Sequence, residues 1–174
     1  SMEDRDFYGH SGISIKATIR AIIIDVFTLS TKQGASTITQ QLARNMYNSI
    51  GFKKTISRKV KELITAIKIE QTYTKSEILE LYLNSIYFGH GNYGAQSASI
   101  YYFSKNVSEI TLDEAAILIG LLPAPARYSP ISHPDRSIIR RNLVLKVMKN
   151  EKYINQKEFD ENSKKELKVT RNDY

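Results

Sequence analysis

Arg58 and Lys59 precede Glu62 by four and three positions, so all three side chains leave the same side of any helix that carries them. Upstream, Gly34-Ala35-Ser36-Thr37-Ile38-Thr39-Gln40-Gln41 reads as a helix start rich in hydroxyls and amides. Thr37 can cap that helix, and Gln40 three residues later completes a capping box. The free N–H groups of a helix start, set beside a basic pair, suit a ligand that carries phosphates. A carboxylate embedded in the same cluster suggests chemistry next to those phosphates. The same residues also fit a capped helix followed by a solvated charged one, and this stretch alone does not choose between the two.

The elements that would position these residues are helical. Ile15, Ile19, Ile22, Ile23 and Val26 recur on one face between residues 13 and 29. The helix opened at Thr37 is expected to run to about Asn48, and a loop with Lys53 and Lys54 follows. The helix containing Glu62 is expected to end near Tyr73, with Ile56, Val60, Leu63, Ile64 and Ile67 as its apolar stripe. Capping boxes at Thr74–Glu77, Thr111–Glu114 and Asn155–Glu158 start three further helices. Gly89-His90-Gly91-Asn92-Tyr93-Gly94 reads as a loop that lacks dinucleotide-site spacing, and 95–102 as a short helix. Pro123, Pro125 and Pro130 predict a non-helical connection, and 135–150 an amphipathic helix. No repeat and no alternating strand pattern is present, so the expectation is a mainly α fold. The domain is expected to span 1–162, with 163–174 a polar, frayed tail or linker.

With 174 residues, 41% apolar and 25% charged, the chain can bury a core. It has no cysteine, and its three histidines are too scattered to argue for zinc. The net charge of +7 favours anionic partners. No run reaches the roughly 18 apolar residues of a membrane span, no secretory signal is present, and no nucleic-acid motif appears.

Five short segments, in order along residues 3 to 145, carry a resemblance. They are Glu3-Asp4-x-x-Phe7-x-x-His10-x-Gly12, Gly34-x-Ser36-Thr37-x-Thr39-Gln40-Gln41, Arg58-Lys59-x-x-Glu62, Lys75-x-x-Ile78-Leu79-Glu80-x-Tyr82-Leu83-Asn84 and Arg140-Arg141-x-x-Val144-Leu145. Together they resemble the signatures of the peptidoglycan glycosyltransferases, glycosyltransferase family 51. That family comprises the transglycosylase domain of class A penicillin-binding proteins and the monofunctional transglycosylases.

The resemblance implies a lysozyme-like, two-lobed helical domain with a cleft between a large lobe and a smaller membrane-facing one. It implies polymerisation of lipid II into β-1,4-linked glycan, with release of undecaprenyl pyrophosphate and inversion at the donor anomeric carbon. By resemblance Glu3 is the general base on the acceptor hydroxyl, and Glu62 the second catalytic glutamate. Ser36, Gln41, Arg44, Lys54, Arg58, Lys59 and Asn84 fall on substrate-binding positions, Arg44 and Lys54 with the opposite choice of basic residue from many relatives. Arg140 and Arg141 are expected to hold the large lobe together. No cofactor is required, although a divalent cation (Mg or Mn) at the pyrophosphate is compatible with the sequence.

The expected partners are lipid II, the lipid-linked growing glycan, the cytoplasmic membrane surface and moenomycin-type inhibitors, with a C-terminal transpeptidase domain as an open option. The expected place is the outer face of the bacterial cytoplasmic membrane, anchored by an N-terminal segment outside this sequence. The stripe Lys16, Arg20, Ile24 and Phe27 is the expected interfacial contact. Two other classes compete. A lysozyme-like glycosidase could use Glu3 and Glu62 as its carboxylate pair, but hydrolysis needs no phosphate-binding cluster. A non-enzymatic basic module explains the charge but not the ordered carboxylates.

Overall fold

The computed structural model describes residues 4, 7–9, 36–46 and 56–170. Glu3, Lys54, the helix expected over 13–29 and its Lys16/Arg20/Ile24/Phe27 stripe lie outside the described residues. The chain divides into two compact units, Ser1–Ser85 and Ile86–Tyr174. Both are built of helices, and the one sheet among the described residues is a two-stranded hairpin.

In the first unit, a 3-10 turn Phe7–Gly9 precedes α1 (Ile38–Met46), α2 (Ile56–Thr72) and α3 (Lys75–Ser85). Phe7, Ile38, Leu42, Ala43, Ala66, Ile69, Ile78 and Tyr82 are buried. Thr37 caps α1 as expected, its Oγ1 accepting from Gln40 N at 3.2 Å. Asp4 supplies a second cap, its Oδ2 accepting from Ile38 N at 3.1 Å. The Gln40 side chain is turned toward α2 instead, its Oε1 accepting from Lys59 Nζ at 2.8 Å.

The apolar stripe expected of α2 is not its buried face. Val60 and Ile64 are exposed, and the helix instead buries Glu62, Ala66 and Ile69. The physical reason is polar. Glu62 meets the cations of α1 and α2, and one helical turn pair further on Thr39 Oγ1 donates to Glu70 Oε1. These bonds rotate the helix so that its 62/66/69 side meets α1. Glu70 also receives Lys75 Nζ at 2.7 Å, and that ammonium sits 4.5 Å from the Phe7 ring centroid. One network therefore ties the Phe7 turn, α1, α2 and the first residue of α3. The Thr74–Glu77 box opens α3, with Thr74 N donating to Glu77 Oε2 at 2.7 Å.

The second unit begins with β1 (Tyr87–Gly89) and β2 (Asn92–Tyr93), antiparallel, where a loop was expected. Gly89 has φ +96°, and a Cβ there would stand 3.0 Å from the Tyr102 hydroxyl and 3.3 Å from Pro125 Cβ, so only glycine fits. There follow α4 (Ala95–Phe103), α5 (Leu112–Leu121), α6 (Pro125–Tyr128), α7 (Pro134–Asn150) and α8 (Gln156–Ser163). The boxes at Thr111 and Asn155 form as predicted. The proline-rich connection departs from expectation by one helical turn: Pro125 opens α6 because a first-turn proline has no hydrogen bond to lose. The core gathers Phe88, Ala98, Tyr102, Phe103, Ile117, Leu118 and Leu121.

Through residue 170 the expected frayed tail is anchored. Arg141, 1% exposed, donates to the carbonyls of Lys165 (2.8 Å) and Ser163 (2.7 Å). Lys165 Nζ meets Asp113 Oδ1 at 2.6 Å, Thr170 N donates to Tyr102 O at 2.9 Å, and Leu167 and Val169 lie on the core cluster. A polar sequence conceals this, because the holding groups are a buried arginine and alternate apolar residues rather than a helical period.

Candidate active site

The site is built on the seam between α1 and α2. Glu62, 1% exposed, receives a different cation on each oxygen: Lys59 Nζ lies 3.3 Å from Oε2, while Arg58 Nε and Arg44 Nη1 lie 3.5 and 3.8 Å from Oε1. Two of these partners come from the same helix at i,i+3 and i,i+4 spacing, which is the placement the sequence predicts. Arg44 comes from the last turn of α1, where a cation also meets the negative end of the helix dipole. Three cations around one carboxylate leave the cluster with excess positive charge. Glu62 Oε1 is enclosed without a hydrogen bond, held only by its two longer ion pairs.

The Lys59 ammonium sits at the centre. It donates to Ser36 Oγ at 2.7 Å, Gln40 Oε1 at 2.8 Å and Glu62 Oε2 at 3.3 Å, which occupies all three of its donors. Burial lowers its pKa below the usual lysine range. The Glu62 carboxylate pulls the other way, and the nearby Arg58 and Arg44 charges add to the lowering. The two halves of the sequence pattern, the Ser36 helix start and the Arg58-Lys59-Glu62 triplet, are thus one constellation.

Not every expected residue joins it. Gln41 is turned toward α3: its Oε1 accepts from the Tyr82 hydroxyl at 3.1 Å, and its Nε2 makes a long 3.5 Å contact with Ser36 O. Asn84 is exposed near the end of α3, and none of the described hydrogen bonds joins it to the cluster. Gln40 is the residue that sequence reasoning missed. Its side chain is 1% exposed and bonds Lys59. Two adjacent glutamines point about 100° apart on a helix, so one signal was available: only one of the pair can share the α2-facing side with Ser36.

The donor set does not suit a resident divalent cation. Glu62 is the one carboxylate of this cluster, three cations face it, and among the described residues no three His, Asp or Glu side chains converge. One carboxylate facing three cations is a set of charges that suits an anionic group.

The Transglycosylase family model matches residues 1–149. Penicillin-binding protein 1A of Aquifex aeolicus is 49% identical over 167 residues, 96% of this chain and 23% of that protein. Penicillin-binding protein 1F of Bacillus subtilis is 47% identical over 158 residues, 91% of this chain and 22% of that protein. The crystal structure of penicillin-binding protein 1A from Haemophilus influenzae superposes with a TM-score of 0.54 at 44% identity, covering 56% of this chain and 14% of that one. The chain therefore spans less than a quarter of the length of these relatives. The family model and these relatives match a helical chain along most of its sequence, including the cation-lined seam of α1 and α2, and lead to one conclusion: the chain belongs to the transglycosylase family of peptidoglycan glycosyltransferases.

Proposed function

We propose that this chain polymerises lipid II into β-1,4-linked glycan and releases undecaprenyl pyrophosphate. The observation that carries the reading is the Lys59 ammonium on the α1–α2 seam, flanked by Arg58, Arg44 and Glu62. The acceptor 4-hydroxyl attacks the donor anomeric carbon, the carbon–oxygen bond to pyrophosphate breaks, and the α-linked donor becomes β-linked. Negative charge grows on the departing oxygen, and cations already fixed in place stabilise it without reorganising at the moment of reaction. Lys59 and Arg58 fill that role, with Arg44 adding to the field.

A sugar hydroxyl is a weak nucleophile at neutral pH and needs a base; Glu3 is assigned that part. What supports the assignment is its chain neighbour: Asp4 is buried and bonded to the first turn of α1, the helix that carries Gln40 and Arg44. Glu62 is assigned to orienting the cations. Ser36 contacts the phosphate or sugar, and Lys54 is assigned a further positive charge toward the substrate.

The enzyme works at the outer face of the cytoplasmic membrane, where the substrate's lipid stays in the bilayer, and moenomycin-type phosphoglycolipids compete for the seam. The relatives are named for binding penicillin. In a protein of their length, the remainder is proposed to include a transpeptidase domain.

The test is incubation with purified lipid II and with preformed glycan strands. Long glycan and free lipid pyrophosphate are expected from the first, and no change in the second. Cleavage of preformed strands without consumption of lipid II would replace this reading with a glycosidase.

A further inference from the structure

We propose that Gln40 is a positioning residue that holds the Lys59 ammonium in place for the anionic leaving group, an assignment that rests on reading the seam as the pyrophosphate site. Gln40 lies in the first turn of α1, where Thr37 fixes its backbone N–H and Lys59 donates to its side-chain Oε1 at 2.8 Å. Its other amide atom, Nε2, is buried and makes no hydrogen bond. A buried amide donor left unpaired is costly, and an apolar side chain of the same shape would avoid that cost. The feature such a side chain would lack is the acceptor at Lys59.

The chemistry of that acceptor is specific. A lysine ammonium is a mobile point charge on a flexible stem, and three acceptors from three chain positions, Ser36, Gln40 and Glu62, fix it here. The Ser36 hydroxyl can rotate away, and the Glu62 carboxylate cancels charge. Gln40 alone among the three combines a planar, fixed acceptor with neutrality, so it orients the ammonium and leaves its charge for the ligand. The charged groups facing Lys59 are Glu62 and Arg58 from α2 and Arg44 from α1.

Two variants of the complete protein decide the matter. Gln40→Met keeps the volume and removes the acceptor, and Gln40→Glu keeps the acceptor and adds a charge. The pH dependence of Lys59 acetylation, read by peptide mass spectrometry without substrate, is expected to move to lower pH in Gln40→Met and to higher pH in Gln40→Glu. With lipid II, kcat/KM of Gln40→Met is expected to fall by about tenfold to a hundredfold, the loss of a hydrogen bond to a charged group. Its melting temperature is expected to stay level or rise, because an unpaired donor has gone. A wild-type Lys59 titration in Gln40→Met, or shifts in the same direction in both variants, overturns the proposal. If Gln40→Met does not fold, the direction of the Gln40→Glu shift decides alone. If both variants shift as expected but the wild-type protein makes no glycan from lipid II, the substrate reading falls and the positioning of Lys59 stands.

Discussion

In the proposed reaction Lys59 serves the leaving group and Glu3 the acceptor hydroxyl, and each assignment is testable alone. Glu3→Gln preserves shape and removes the base, so turnover of lipid II should fall on the order of 10²–10⁴ while substrate binding stays near normal; near-normal polymerisation would mean another base. Lys59→Ala should weaken both turnover and moenomycin affinity, by about tenfold or more each, because the pyrophosphate is charged before and during departure. Unchanged moenomycin affinity would exclude Lys59 from phosphate contact. The direction of the Lys59 pKa adds a pH prediction. Burial lowers it, so the ammonium loses its proton at a lower pH than an ordinary lysine, and activity falls as pH rises through that lowered value. Lys59→Arg, which does not titrate in the range, should extend the alkaline side of the kcat/KM profile. An identical alkaline side in Lys59→Arg would assign that limb to another group.

At the scale of elements, the segment that follows α8 has its own pH signature. Burial alone would raise the pKa of Asp113, but the Lys165 ammonium and the Thr111 hydroxyl hold it below the usual carboxylate value. A depressed carboxylate contributes stability that is present above its unfolded pKa, near 3.8, and is lost as pH falls through the folded one. Asp113→Asn should therefore remove acid sensitivity in the 164–170 segment and cost about 1 kcal/mol or less, since Lys165 is 45% exposed. Hydrogen exchange at Thr170 N–H, which bonds Tyr102 O, measures it; equal protection in both proteins at neutral pH would show the ion pair to be idle. The helix starts were legible in sequence because a capping box is a local contract between residues three apart, as at Thr74 and Glu77. The rotation of α2 was not, because Glu62 and Glu70 find partners on α1 that no window of sequence contains, and those bonds outweigh the Val60/Ile64 stripe. Gln40 and Gln41 illustrate the same limit for the site. Their identities were plain, and which one meets Lys59 depends on how the two helices are turned.

For the molecule as a whole, the net charge of +7 and the lipid-bearing substrate proposed for it predict association with anionic bilayers. Among the described residues no helix is long and apolar enough to cross a membrane. Binding driven by the basic charge of the chain should be sensitive to salt. Sedimentation with phosphatidylglycerol vesicles should fall several-fold between low and high ionic strength, as the Debye length shrinks from about 30 Å at 0.01 M to about 3 Å at 1 M. Salt-independent binding would point instead to apolar insertion, and Ile24→Asp with Phe27→Asp would then test the expected stripe. The strap from Ser163 to Thr170 has a mechanical consequence as well. A pull on the chain beyond Thr170 reaches the bonds in sequence: Thr170 to Tyr102, then Lys165 with its contacts to Asp113 and Arg141, then the Ser163 carbonyl held by Arg141. Bonds loaded one after another give way at lower force than bonds loaded together, so the strap would peel from its far end, and the helix that carries Arg141 would be loaded last.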